Sequence, residues 1–216
     1  MKGNNIMRVV KDALERRTEI LDAAEKLFGQ KGFDGTSTND ILGSVGIARG
    51  TLYYHFKSKE DIMDALILRY HDRIVTTATM LAQDKSIPVY ERLIRVIMAM
   101  NLSGESESEV IGHIHKPQNA LMHQKTQKLI VNGITPIITP IIVEGIKEGI
   151  FETPYPYECM EMLIIYANSV FDDDMITESN GDKASRMKAF VFNAERLLGA
   201  ERGRFEFVMN QTIIDR

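Results

Sequence analysis

The segment GTSTNDILGSVGIARGTLYYHFKSKE, residues 35–60, constrains this chain more than any other stretch. It holds two short apolar-periodic runs on either side of a glycine-bracketed turn. Ser37-x-x-Asp40 has capping-box spacing, so the first run starts as a helix at Thr36 or Ser37. Ile41, Leu42 and Val45 supply its buried side, and Gly43 and Gly46 bracket the turn. The second run spans about Ala48 to His55, with Leu52 and Phe56 inward. Ser58-x-x-Asp61 opens a further helix. Two short helices about a tight turn, the second with a polar outer face, form a helix-turn-helix that lays that face in a major groove.

The rest of the chain extends an all-α reading. Ile20, Leu21, Ala24, Leu27 and Phe28 share one helical face, and Gly29 and Gly32 mark its end. A fourth helix carries Ile62, Met63, Leu66 and Tyr70 toward Leu81. Asp84 to Pro88 is a polar break and a candidate domain edge, followed by a helix from Val89 to about Leu102. A long helix is expected from about Gln118 to Glu148, with Pro136 and Pro140 kinking it because each removes a backbone donor. Two last helices are expected over Tyr157–Phe171 and Lys183–Leu198. The fold class is therefore all-α. Residues 1–60 are expected to form a three-helix DNA-binding domain, and residues 61–216 a second, helical domain.

Composition narrows the function. The net charge of −4 is unexpected for a nucleic-acid binder, but it is unevenly spread. Residues 1–60 carry ten Lys and Arg against eight Asp and Glu, while residues 61–216 carry sixteen against twenty-two. The N-terminal part is the nucleic-acid face, and the acidic remainder limits nonspecific adhesion to phosphate. No run approaches the ~18 consecutive apolar residues of a membrane span. The first residues lack the apolar core of a signal peptide, and a single cysteine, Cys159, precludes an intrachain disulfide. A cytoplasmic protein with no membrane partner is expected. The chain shows no Ser/His/Asp set, Gly-rich phosphate loop or HExxH pair, so it reads as no enzyme.

The outer groups of the 35–60 segment have one chemistry. Arg49, Thr51, Tyr53, Tyr54, His55, Lys57 and Lys59 are donors suited to phosphate oxygens. Gly50 leaves room for close backbone approach, and the positive helix end near Ser37 and Thr38 suits a phosphate. Singly, each is an ordinary surface residue; their order is what carries the reading.

TSTNDILGSVGIARGTLYYHFKSKEDI, with ILDAAEKLFGQKGFDGTS overlapping it upstream, resembles the N-terminal DNA-binding domain of the TetR family of bacterial transcriptional regulators. The resemblance implies that Ser37 to Phe56 is the helix-turn-helix proper. It implies phosphate contacts at Thr38, Gly50, Tyr53, Tyr54, His55 and Lys59, and base or backbone contacts at Arg49 and Thr51. Leu52 and Phe56 match core positions. Beyond residue 70 the likeness is architectural.

The resemblance further implies a ligand-responsive repressor, with residues 61–216 as its helical ligand-binding and dimerisation domain; no cofactor is expected. Such a protein acts as a homodimer on a palindromic double-stranded DNA operator and is switched by a small-molecule effector. Its last two helices form the dimer, with Met160, Leu163, Ala167, Val170, Phe190, Ala194 and Leu197 as interface candidates. Candidate pocket residues are Met98, His115, Asn119, Met122, His123, Ile138, Met162 and Tyr166. His113, His115 and His123 invite a metal, but an i, i+2 histidine pair on a helix does not share a face and no second cysteine completes a set. No metal is expected. The alternative is a small-molecule or metal-binding sensor or storage protein with a vestigial DNA-binding domain, which would retain a ligand yet bind no genomic fragment.

Overall fold

A computed structural model describes residues 12–101, 120–171 and 183–206. The elements are α1 (Ala13–Lys31), α2 (Thr38–Val45), α3 (Arg49–His55), α4 (Lys59–Gln83), α5 (Val89–Asn101), α6 (Ala120–Lys147), α7 (Pro156–Val170) and α8 (Lys183–Leu198). No strand occurs among the described residues. The chain divides into two units, Met1–Leu66 and Ile67–Arg216. Helix α4 contributes residues to both.

The first unit is organised by the apolar stripe of α1. Ile20, Leu21, Ala24 and Phe28 are buried, with Leu27 at the stripe's edge. Helix α1 continues through Gly29 and stops at Gly32, whose φ of 77° places it where side chains are strained. Helix α2 packs against α1 through Ile41. Its start is a complete capping box. The Ser37 hydroxyl accepts from the Asp40 N–H at 3.2 Å, and the Asp40 carboxylate accepts the Ser37 N–H at 2.8 Å. Gly46 closes α2 in the left-handed conformation, its N–H donating to the Leu42 carbonyl. The chain then turns directly into α3, which buries Leu52, while Phe56 caps its end and is buried too. Ile62 and Met63 of α4 complete this core.

The second unit is built around α6, which packs against α5 and α7, while α7 packs against α8. Ile130, Ile134, Ile138, Ile141 and Ile142 form its buried face. The helix is continuous through Pro136 and Pro140. The hydroxyls of Thr135 and Thr139, each immediately before a proline, donate to carbonyls one turn back, Val131 at 2.7 Å and Thr135 at 2.8 Å. Gln124–Lys147 is long and apolar enough by composition to cross a bilayer. Here its isoleucines are spent on the core shared with α5 and α7. Gly133 admits the His71 ring of α4 where a Cβ would lie 2.4 Å from it.

The Asp84–Pro88 break, a candidate domain edge in the sequence, is a turn inside the second unit. Asp84 accepts from the N–H and hydroxyl of Ser86, reversing the chain between α4 and α5. Beneath it lies Arg92, only 1% exposed, whose guanidinium donates to Glu144 at 2.6 Å. Lys85 pairs with the same carboxylate.

Candidate nucleic-acid interface

Helix α3 has a division of labour along its seven residues. Leu52 faces the core, while Arg49, Gly50, Tyr53 and Tyr54 are exposed, Tyr54 at 78%. Thr51 and His55 are half-buried, and Lys57 beyond the helix end is exposed. The rings of Tyr54 and His55 meet edge to face at 5.0 Å, and the Arg49 guanidinium lies 6.0 Å from the Tyr53 ring. These contacts pre-order the outer groups without consuming their outward donors. A Cβ at Gly50 would meet nothing within 4 Å, so nothing inside the protein requires glycine there. The structure thus brings Arg49, Gly50, Thr51, Tyr53, Tyr54, His55 and Lys57 together on and beside one short helix.

Ser37 and Thr38 stand at the start of α2, exposed and half-buried respectively. Ser37 is occupied by its box, its hydroxyl lying 2.5 Å from the Asp40 carboxylate. The Asp40 carboxyl is held well below the ordinary carboxylate range. The Ser37 hydroxyl is the chief cause, followed by Lys31 and the Ser37 N–H. Lys31 also pairs with Asp40 at 2.9 Å, tying the end of α1 to the start of α2.

Lys59 differs from the others. Its ammonium points back into the unit, donating to the Phe33 and Thr36 carbonyls at 2.7 and 2.9 Å. It also lies 4.2 Å from the centroid of the Phe33 ring. Thr36, one of the two possible starts of α2 in the sequence, is buried in this connection instead, and Ser37 is the cap; Phe33 and Gly35 carry no role in the sequence reading. The sequence signal for this connection is the pair of glycines, Gly32 and Gly35, on either side of Phe33 and Asp34.

The sensor and dimer candidates scatter over the second unit. Ile138 is buried in the core and Met98 is half-buried, while Met162 and Tyr166 are exposed. His113, His115 and Asn119 lie outside the described residues, as do the side chains of Met122 and His123. Among the interface candidates, Met160, Leu163 and Ala194 are buried within the chain's own core. Ala167, Val170 and Phe190 are half-buried, and Leu197 is exposed. Phe190 stacks on Tyr166, ring centroids 5.7 Å apart, and meets Phe171 edge to face at 5.5 Å.

Residues 20–66 match the family described as bacterial regulatory proteins, tetR family, and residues 103–192 match a tetracyclin repressor-like C-terminal domain. The HTH-type transcriptional repressor KstR2 of Mycobacterium tuberculosis is 31% identical over 122 residues, covering 56% of each protein. The HTH-type transcriptional regulator UidR of Escherichia coli is 44% identical over 62 residues, 29% of this chain and 32% of that protein. The chain thus spans about half or less of the length of these curated relatives. Among solved structures, Salmonella enterica GusR superposes with a TM-score of 0.62 at 21% identity, covering 88% of this chain and 99% of that one. RolR in complex with resorcinol gives 0.61 at 13% identity, over 91% and 93%. At such identities these structures show a shared fold.

Proposed function

Because the chain belongs to the TetR family of bacterial regulatory proteins, we propose that it is a DNA-binding transcriptional repressor. Residues 1–60 read the operator, and residues 61–216 bind a small-molecule effector and pair two copies. The family consists of transcriptional regulators rather than enzymes. The observation that carries the reading is the outer face of α3. Arg49, Tyr53, Tyr54 and Lys57 are exposed around a glycine that no internal contact demands, while Leu52 anchors the helix from behind. Guanidinium, phenol and ammonium groups on one face suit phosphate oxygens and base edges.

One such helix makes few contacts. Two-fold pairing places two of them about 34–36 Å apart, one DNA turn, and matches a palindromic operator. Support for pairing comes from α7 and α8. Met162, Ile165 and Tyr166, spaced i, i+3, i+4 on α7, and Phe192 and Leu197 on α8 are large apolar side chains left exposed. Soluble chains rarely leave such groups together in water without a partner. The face proposed for the dimer is therefore the exposed set, not the buried Met160, Leu163 and Ala194.

Repression is relieved when an effector prefers a conformation that alters the spacing of the two α3 helices. The gain is bounded by the effector's differential affinity for the two states. Resorcinol in RolR supports a small organic effector. Selection of genomic fragments by the purified full chain tests the reading. The expected result is enrichment of fragments sharing an inverted repeat with half-sites one turn or a multiple apart. Enrichment of none, with a tightly retained ligand in the purified protein, would instead favour a sensor or storage protein.

A further inference from the structure

We propose that Lys59 is a positioning residue, not a phosphate ligand: its ammonium clasps the α1–α2 connection and sets how α2 presents Ser37 and Thr38. Only the last step, from presentation to DNA affinity, rests on the DNA-binding reading above.

An ammonium has three N–H donors. Two of those on Lys59 are taken by the carbonyls of Phe33 and Thr36, at 2.7 and 2.9 Å, and the charge lies over the Phe33 ring. Charge-assisted bonds to carbonyls are among the stronger kind, and the aromatic face adds to them. The connection they close is tight. Thr36 is buried, its hydroxyl donating to Gly32 at 2.8 Å and Leu27 at 3.2 Å. A Cβ at Gly35 would lie 2.3 Å from the Lys31 carbonyl, so the backbone there has no slack. Thr36 directly precedes Ser37, the cap of α2. Lys59 thus grips the residue next to the cap from the start of α4, while Lys31 grips Asp40 inside the cap at 2.9 Å. Turning Lys59 outward to a phosphate would give up all three of its contacts.

The test uses the full-length protein and a mixed-sequence duplex long enough for two half-sites. Lys59→Met keeps the stem and removes the donors; Lys59→Arg keeps charge and donors; Lys57→Met serves as the phosphate-type reference. Amide hydrogen exchange without DNA is expected to quicken about tenfold or more in Lys59→Met at Thr36, Ser37 and Asp40. The amides of Leu52 and Phe56 should keep the parent rate, and Lys59→Arg should restore the loop. Affinity for the duplex should fall in Lys59→Met, while the slope of log affinity against log salt stays at the parent value. Lys57→Met should make that slope shallower by about 0.9 per bound copy, as the loss of one phosphate contact in each does. Unchanged loop exchange with a slope shallower by about 0.9 per bound copy in Lys59→Met would make Lys59 a phosphate ligand and overturn the proposal. Equal acceleration across α1, α2 and α3 would make it a general stability residue and overturn it as well. A parent protein that binds no duplex removes the DNA-binding reading, while the exchange measurement still decides the clasp.

Discussion

At Gly50 the proposed DNA-binding role sets recognition against stability. Glycine inside a helix is less stable than alanine by roughly 0.5–1 kcal/mol, and α3 has only seven residues over which to absorb that cost. No internal neighbour forbids a side chain at position 50. Gly50→Ala is therefore expected to raise stability by up to ~1 kcal/mol, read from a denaturant midpoint, and at the same time to weaken operator binding because the backbone can no longer approach closely. Undiminished binding in that variant would remove the close-approach role. Gly35 is the counter-case: its Cβ would strike the Lys31 carbonyl, so Gly35→Ala loses stability first. Tyr54 isolates the side-chain contribution. It is 78% exposed, so Tyr54→Ala should leave stability within about 0.5 kcal/mol of the parent. Its affinity should fall by a similar factor on operator and unrelated duplex, as for a phosphate contact; loss on the operator alone would make Tyr54 a base reader.

Between elements, the Arg92–Glu144 pair joining α5 to α6 links stability to pH. The Glu144 carboxyl is held below its ordinary value of 4.5, chiefly by the hydrogen bond from Arg92 and then by Lys85. A carboxyl depressed in the folded state contributes stability that is full above its unfolded pKa and is lost as pH falls through the folded value. Unfolding midpoints measured below about pH 4.5 should therefore fall less steeply in Glu144→Gln than in the parent. At neutral pH that variant should cost more than the ~1 kcal/mol of an exposed pair, because Arg92 is left buried without its counter-charge. It should cost less than the ~3–5 kcal/mol of a fully buried pair, because Glu144 reaches solvent. Nothing in the local sequence announces this pair, since its members stand 52 residues apart. Local chemistry was legible where it is local: the Ser37–Asp40 box, the Gly46 turn and the inward Leu52 all follow from spacing within a few residues. Lys59 was not, because its partners are carbonyls 23 and 26 residues away, and a lysine beside an exposed helix reads as solvated until the loop closes on it. Pro136 and Pro140 mark where backbone donors are missing, yet α6 stays a single helix because its isoleucines are packed on both sides of them.

For the whole molecule, the proposed pairing turns on which apolar face of α7 and α8 the chain itself leaves uncovered. Periodicity shows that both helices are apolar; it does not show which stripe the chain itself covers. Met160, Leu163 and Ala194 are covered intramolecularly, so a charge placed there would unfold the unit and say nothing about pairing. Ile165 and Phe192 are about half exposed, 47% and 53%, and a charge there remains hydrated in a lone copy. Ile165→Asp with Phe192→Asp is therefore expected to leave the helical content unchanged while shifting the sedimentation coefficient from that of a dimer to that of a monomer. If the two α3 helices act as one reader, the same double variant should lose most of its preference for operator over unrelated duplex, although Arg49, Tyr53, Tyr54 and Lys57 are untouched. Weak, salt-sensitive binding by single copies should persist, since each still carries its own phosphate-facing groups. A variant that sediments as the parent does would show that the exposed stripe of α7 and α8 is not where two copies meet. A monomer that keeps full operator preference would show that one α3 suffices.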